Sequence, residues 1–392
     1  MSQEKAMSQE KVMSQEKVMS QEKAMSQEKA MSAQLNSLEL LLSGEGLTEQ
    51  QSNAFFSQVV KGKVDPIILS AFLTALKIKG ETPQEISGAA GALRDNCVPF
   101  PSGDTINNGI VAPGLYADNC GTGGDGSNTF NISTTASIVA AACGLPIVKH
   151  GNRSVSSRSG SADMLESFGV KLDMAPDVAF NSLKQSNLTF LFAPFYHSGI
   201  KHAMPVRKTL HTRTLFNILG PLVNPARPSI QLLGVFKPEL CRPMAQALQL
   251  LGVKRAMVVH GSGMDEIALH GDTKVVEIKD GQLNEFTLSP QDFGLKHGNI
   301  DELAGGEPAF NANITARLLE GQGTQAHNSA IAVNVAALLY LFGQASDLKQ
   351  GANIALEMIA SGKAKNTLDQ FIDLSQLSSA QLGTAKTSGG IS

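Results

Sequence analysis

Residues 121–134 read GTGGDGSNTFNIST, and the chain continues through TASIVAAACG to the short apolar run PIVK at 146–149. Four glycines in six residues leave backbone N–H groups unobstructed. Ser133–Gly144, rich in Ala, Thr and Ile, then reads as a helix, and Pro146–Lys149 as a strand. A glycine-rich loop feeding a helix N-terminus suits an anion, because free N–H groups and the helix dipole both favour negative charge. A tight turn with a Ser or Thr cap would use the same residue types. Further candidate strands are Thr189–Ala193, Leu232–Val235, Ala256–His260 and Lys274–Lys279, with helical patterns between most of them. That alternation predicts an α/β domain around a central, mostly parallel sheet.

Upstream the pattern is helical from Ser32 to about Pro101. Leu35, Leu38, Leu41 and Leu42 fall at helix spacing until Gly44 and Gly46 stop them. Thr48 with Gln51 resembles a capping box; Asp65-Pro66 and Thr82-Pro83 open two more helices. These make a small all-helical domain. Residues 1–30 repeat a hexad, MSQEKA or MSQEKV. A period of six matches neither 3.5 nor 3.6, so its methionines build no continuous seam, and residues 1–31 read as a low-complexity tail. Arg207–Leu219 reads as one helix ending at Gly220-Pro221. Asn328–Phe342, apolar almost all round, reads as a buried helix. The expected organisation is a tail at 1–31, a helical domain at 32–108 and an α/β domain at 109–196 and 229–378. Residues 379–392 form a loose end.

Bulk properties narrow the classes. The chain has 392 residues, 42% hydrophobic and only 17% charged, which implies a sizeable core. The net charge of −3 and pI near 6.3 argue against a surface that coats nucleic acid. No apolar run approaches bilayer length. Cys97, Cys120, Cys143 and Cys241 show no C-x-x-C spacing and read as buried thiols. With no secretory signal, they point to a reducing cytoplasm.

Three further segments carry chemistry. KHGNRSVSSRSGS at 149–161 places Lys149, His150, Arg153 and Arg158 within ten residues, with Ser and Asn between them and no acid. It follows an apolar strand, at the carboxyl end where α/β sheets bind ligands, and suits a polyanion; a solvated basic loop is the bland alternative. VVHGSGMDEIA at 258–268 delivers Asp265 and Glu266 from the end of a strand. Beside a phosphate, adjacent carboxylates are useful only with Mg²⁺ between. PVRKTLHTRTLFNILGPLVNP at 205–225 carries Arg207, Lys208 and Arg213 on an otherwise apolar helix, with Arg207 a candidate for bidentate capture of a carboxylate.

Together these segments resemble the anthranilate phosphoribosyltransferase family from about residue 35 to about 377. The most specific parts are GTGGDG at 121–126, KHGNRSVSSRSGSADMLESFG at 149–169 and FNILGPLVNPA at 216–226. The hexad repeat has no counterpart there. The resemblance implies the fold shared by nucleoside phosphorylases and these transferases, with the helical domain completed by about 197–228. It implies transfer of a phosphoribosyl group from phosphoribosyl pyrophosphate (PRPP) to the amine of anthranilate. Two Mg²⁺ ions per site and a homodimer formed through the helical domains are also implied. Gly121, Asn152 and Arg207 would hold anthranilate. Gly121, Gly124, Asp125, Thr129, Asn131, Ile132, Ser133 and Thr134 would hold PRPP from one side. Lys149, His150, Gly151, Asn152, Arg153, Ser154, Val155, Ser156, Ser157 and Ser161 would hold it from the other. Ser133, Asp265 and Glu266 would take the metal. An aromatic amine is already a free base at neutral pH, so no catalytic base is required; His150 is the one candidate for proton removal. A pyrimidine nucleoside phosphorylase, which needs no carboxylate pair for metal, and a non-catalytic nucleic-acid-binding relative, which should be basic, fit the residues less well.

Overall fold

The computed structural model describes residues 28–101, 115–154 and 158–382, together with Met19 and Met25. Most of the hexad repeat, the expected domain boundary at 108/109, Val155, Ser156, Ser157 and the C-terminal end beyond 382 lie outside the described residues.

The N-terminal helices are α1 (residues 28–42), α2 (Glu49–Val60), α3 (Pro66–Lys79) and α4 (Pro83–Asp95). Their starts follow from the caps. Thr48 and Gln51 satisfy each other's N–H groups, as do Thr82 and Glu85, and Asp65 accepts from Ile67 at 2.8 Å ahead of Pro66. Glu85 also accepts from the Leu47 N–H at 2.9 Å and from Lys79 at 2.9 Å, tying the α1–α2 turn to α4. Inside, Phe55 stacks on Phe72, and Phe56 meets Phe216 edge-on at 5.8 Å. Phe216 comes from a later segment that returns to these helices, along with Ala203, Val206, Leu215, Leu219 and Val223 in the same apolar cluster.

The strands are β1 (Ala117–Asp118), β2 (Ile147–Gly151), β3 (Leu188–Phe192), β4 (Ile230–Gly234), β5 (Arg255–Gly261), β6 (Thr273–Lys279) and β7 (Gln282–Leu288). They form one sheet in the order β3-β2-β1-β4-β5-β6-β7, parallel from β3 to β5 and antiparallel beyond. The remaining helices are α5 (Ile132–Ala142), α6 (Ser161–Ser167), α7 (Pro176–Ser186), α8 (Ala193–Tyr196), α9 (Met204–Leu210), α10 (Phe216–Leu219), α11 (Cys241–Leu250), α12 (Pro308–Leu319), α13 (Gln325–Phe342), α14 (Leu348–Ala360) and α15 (Ala364–Ser375). Both sheet faces are covered, so strand residues sort by parity. Met257 and Val259 join the cluster that holds α5 and α13, whereas Ala256 and Val258 join the one that holds α2, α4 and α11.

Three readings of the sequence need correction. Arg207–Leu219 is not one helix: α9 ends at Leu210, His211 turns left-handed at φ 44°, and helix resumes only at Phe216. Thr212 and Thr214, poor helix formers, fill the gap. The sheet also has two strands beyond the five expected. β1 has only two residues, and β7 is a largely exposed, polar edge strand. Of the cysteines only Cys241 is buried; the other three are partly covered.

Candidate active site

A cleft of about 1750 Å³ opens at the carboxyl ends of β1, β2, β4 and β5 and is walled on the far side by α9 and α10. The chain winds one way through β1, β2 and β3 and the other way through β4 and β5, so the cleft lies where the strand order switches.

The glycine loop 121–126 forms the floor. Gly123 sits at φ +67°, a left-handed position that costs a side-chain-bearing residue about 1 kcal/mol or more. Its N–H donates to Asp265 Oδ2 at 2.6 Å. Asp265 is delivered by close backbone approach: a Cβ at Gly234 would lie 1.5 Å from the Asp265 carbonyl oxygen, so only glycine fits at the end of β4. The Asp265 N–H donates to Asp125 Oδ2 at 3.2 Å. Next to it, Glu266 Oε1 accepts from the Ser133 N–H at 3.1 Å, in the open first turn of α5, whose cap residue Asn131 makes no side-chain cap bond. Asp265 and Glu266 keep some exposure toward the cleft. Burial, then repulsion from Asp125, pushes Asp265 up to about 7; burial, then repulsion from Asp265, raises Glu266 well above the usual carboxylate range.

The loop after β2 forms the adjacent wall. Lys149 is buried, its ammonium 3.3 Å from both Asn119 Oδ1 and Ser133 Oγ. His150 is buried too, with Nδ1 at 3.1 Å from the Gly220 carbonyl. Burial, then the neighbouring His197, lowers it to about 3, so it is neutral at physiological pH. With Nδ1 donating to Gly220, Nε2 is left as an acceptor with no partner among the described residues. Gly151 is required because a Cβ there would meet Ser161 Oγ and the Phe190 ring.

Not every sequence candidate has a side chain free to meet a ligand, although Asn131 and Arg153 both line the cleft. The Arg153 guanidinium is taken by Glu166 at 2.7 and 2.9 Å and by Asp163 at 3.1 Å. Arg158 is exposed and does not line the cleft. The Asn131 side chain is spent on Ser159 and Asn311. Gly121, Gly124, Asp125, Thr129, Ile132, Ser133, Thr134, Asn152, Ser154 and Ser161 all line the cleft. Arg207 lines the opposite wall, 5.2 Å over the Phe216 ring, with no carboxylate partner among the described residues; burial lowers its pKa. Arg213 reaches across, bonding the Gly124 carbonyl and lying 4.1 Å over Phe236.

Sequence reading missed His197, Asp118, Asn119 and Asn224. His197 is 4% exposed and lines the cleft behind His150, ring centroids 5.3 Å apart. Burial lowers it to about 4, with bonds to the backbone of Val223 and Leu93 partly opposing. A histidine depressed in the fold contributes stability above its unfolded pKa, and that contribution is lost as pH falls toward the folded one. The stability gap between wild type and His197→Asn, measured by urea unfolding, should therefore shrink from pH 6.5 to about 4. The slope should reach ~1.4 kcal/mol per pH unit. A gap independent of pH would remove this assignment.

Residues 114–365 match the family described as "Glycosyl transferase family, a/b domain", and residues 36–97 match "Glycosyl transferase family, helical bundle domain". The anthranilate phosphoribosyltransferase of Colwellia psychrerythraea is 59% identical over 338 residues, covering 86% of this chain and 91% of the relative. That of Vibrio vulnificus is 54% identical over 327 residues, covering 83% and 96%. Among solved structures, anthranilate phosphoribosyltransferase from Thermus thermophilus superposes with a TM-score of 0.80 at 38% identity, covering 87% of this chain and 99% of the other. The Saccharomyces cerevisiae enzyme in complex with PRPP and Mg gives 0.77 at 31% identity, covering 88% and 98%. The same yeast enzyme in complex with 4-fluoroanthranilate gives 0.75 at 30% identity, with the same coverage.

Proposed function

The chain belongs to the anthranilate phosphoribosyltransferase family, and on that premise we propose that its cleft joins the amine of anthranilate to the ribose of PRPP. The products are N-(5-phosphoribosyl)anthranilate and diphosphate, in a step of tryptophan biosynthesis. One observation carries this reading: an anion cradle with two charge-starved carboxylates faces an arginine that has no carboxylate of its own.

In this reading the 121–134 loop and Lys149, His150, Gly151, Asn152, Ser154 and Ser161 hold PRPP, and Val155, Ser156 and Ser157 are assigned to the same task. Arg153 serves by its backbone while its side chain braces α6. Arg207, Asn152 and Gly121 hold anthranilate. As diphosphate leaves the anomeric carbon, negative charge grows on it, and the Lys149 ammonium with the N–H groups of α5 meets that charge in place. The amine nitrogen bonds to the carbon from the opposite side. His150 Nε2, a neutral acceptor, can take a hydrogen bond from the amine; a pKa near 3 makes it a weak base, suited only to the acidic proton of a cationic aromatic amine.

Magnesium fits the carboxylates. Asp265 and Glu266 are hard oxygen donors whose carboxyls are raised by burial and by repulsion from neighbouring carboxylates, and a divalent cation would relieve both. Ser133, Asp265 and Glu266 would hold two ions, which supply charge neutralisation to the departing diphosphate. The working unit is a homodimer in the cytoplasm, formed through the helical domain of residues 32–108 with about 197–228. Exposed Ile67 and Ile78, three turns apart on one face of α3, support such a contact. Among the described residues no helix is long and apolar enough to cross a membrane.

The test is loss of anthranilate fluorescence on mixing protein, PRPP and Mg²⁺, with an EDTA control. A metal-dependent decay is expected. Its absence in folded protein that still binds PRPP would discard the acceptor assignment, and phosphate-dependent cleavage of uridine would replace it.

A further inference from the structure

Residues 220–224, GPLVN, belong to the one singled-out motif that the reading above leaves without a task. Side chains from different elements take the successive backbone groups of this segment. His150 of β2 bonds the Gly220 carbonyl at 3.1 Å, and Gln231 of β4 donates to that of Pro221. Arg94 of α4 donates Nε to that of Leu222 at 2.6 Å. Asn224 ends the run, fully buried. Its Nδ2 donates at 2.8 Å both to Asp118 Oδ2 and to the Val148 carbonyl, and its Oδ1 accepts from the Ala226 N–H. The other oxygen of Asp118 accepts from the His150 N–H at 3.4 Å.

We propose that Asn224 is a positioning residue for the donor site: it fixes the buried Asp118 carboxylate, and through it the placement of Lys149 and the His150 backbone against the diphosphate. Asp118 is fully buried at the end of β1, and its neighbour Asn119 holds the Lys149 ammonium. A carboxylate with no access to water keeps its charge and orientation only through donors. Burial pushes Asp118 up to about 6, with the Lys149 charge and then the Asn224 bond working against that rise. Removing the amide would leave Asp118 to neutralise or rotate, and Lys149 would lose the attraction of that buried charge. Because β1 has two residues, few ladder bonds exist to absorb the change.

This rests on the donor-site reading, and the experiment separates the two. Asn224→Asp faces Asp118 with a second carboxylate at hydrogen-bond distance, whereas Asp118→Asn with Asn224→Asp restores one amide and one carboxylate. For Asn224→Asp, assayed well below its melting temperature, kcat/KM for PRPP should fall ~10²-fold, as for a misplaced reacting group. KM for anthranilate should not change, and the exchanged pair should regain at least tenfold. Wild-type kcat and KM for PRPP in the single variant would overturn the proposal. So would an exchange no better than the single change, or a loss shared equally by both substrates. Should Asn224→Asp not fold, Asn224→Ser carries the same KM-against-kcat expectation. A wild-type chain without anthranilate turnover would instead sink the function. PRPP affinity of the Asn224 variants, measured by calorimetry, would then decide this inference by itself.

Discussion

Asp265→Asn combined with Glu266→Gln should abolish magnesium-dependent turnover, lowering kcat by at least ~10²-fold, the scale seen when one stabilising group is lost from a developing oxyanion. The same double variant should be more stable than wild type when both are metal-free at pH 7. The sign follows from the raised carboxyls. A carboxyl whose folded pKa lies above its unfolded value contributes stability in full below the unfolded pKa, and loses it as pH rises through the folded one, about 7 for Asp265. At neutral pH the pair is thus already a liability, and the amides remove it. Magnesium should raise the melting temperature of wild type and leave that of the double variant unmoved. Calorimetric melts with Mg²⁺ and with EDTA decide it: a variant still stabilised by magnesium, or one that keeps wild-type turnover, would show that the metal is held elsewhere.

Arg207→Ala should raise KM for anthranilate by roughly 10- to 150-fold, the equivalent of the ~1.5–3 kcal/mol that a charge-assisted hydrogen bond contributes. KM for PRPP should stay put. Arg207 lies across the cleft from the anion cradle, over the Phe216 ring; its Nη1 donates weakly to the Met204 sulfur at 3.8 Å, and it has no carboxylate partner among the described residues. Arg207→Lys should recover only part of the loss, because an ammonium cannot reproduce the planar two-point grip. Steady-state kinetics with each substrate varied separately will show this. An equal rise in both KM values would mean that Arg207 supports the cleft and does not read the acceptor.

The sequence made the α/β alternation and the helix starts readable because local chemistry decides them. Thr48 with Gln51, Asp65 with Pro66 and Thr82 with Glu85 cap helices whatever surrounds them. The glycine loop and the Asp265-Glu266 pair were readable for the same reason. What stayed hidden depends on partners far along the chain. β1 exists only because β2 and β4 flank it, and β7 is too polar to announce itself. His211 breaks its helix by a backbone choice that a helix-compatible residue does not advertise. Arg153 reads as part of a polyanion-binding loop because its acids, Asp163 and Glu166, lie 10 and 13 residues further on, outside the basic run. Asn224 looked like part of an unexplained motif because Asp118 is 106 residues away.

The apolar cluster around Phe56 and Phe72 has a consequence for how the protein is made. Its N-terminal helices end at Asp95, but the segment that caps their inner face begins near Ala203. At ribosomal speeds of ~5–20 residues per second, that separation leaves Phe55, Phe56 and Leu73 without their covering for on the order of 5–20 s. Nascent chains stalled before residue 203 should accordingly be clients of holding chaperones, and chains stalled well after the 203–223 segment has emerged should not. The interrupted order of the helical domain is thus also a timetable, in which the first helices synthesised wait for a covering segment made much later.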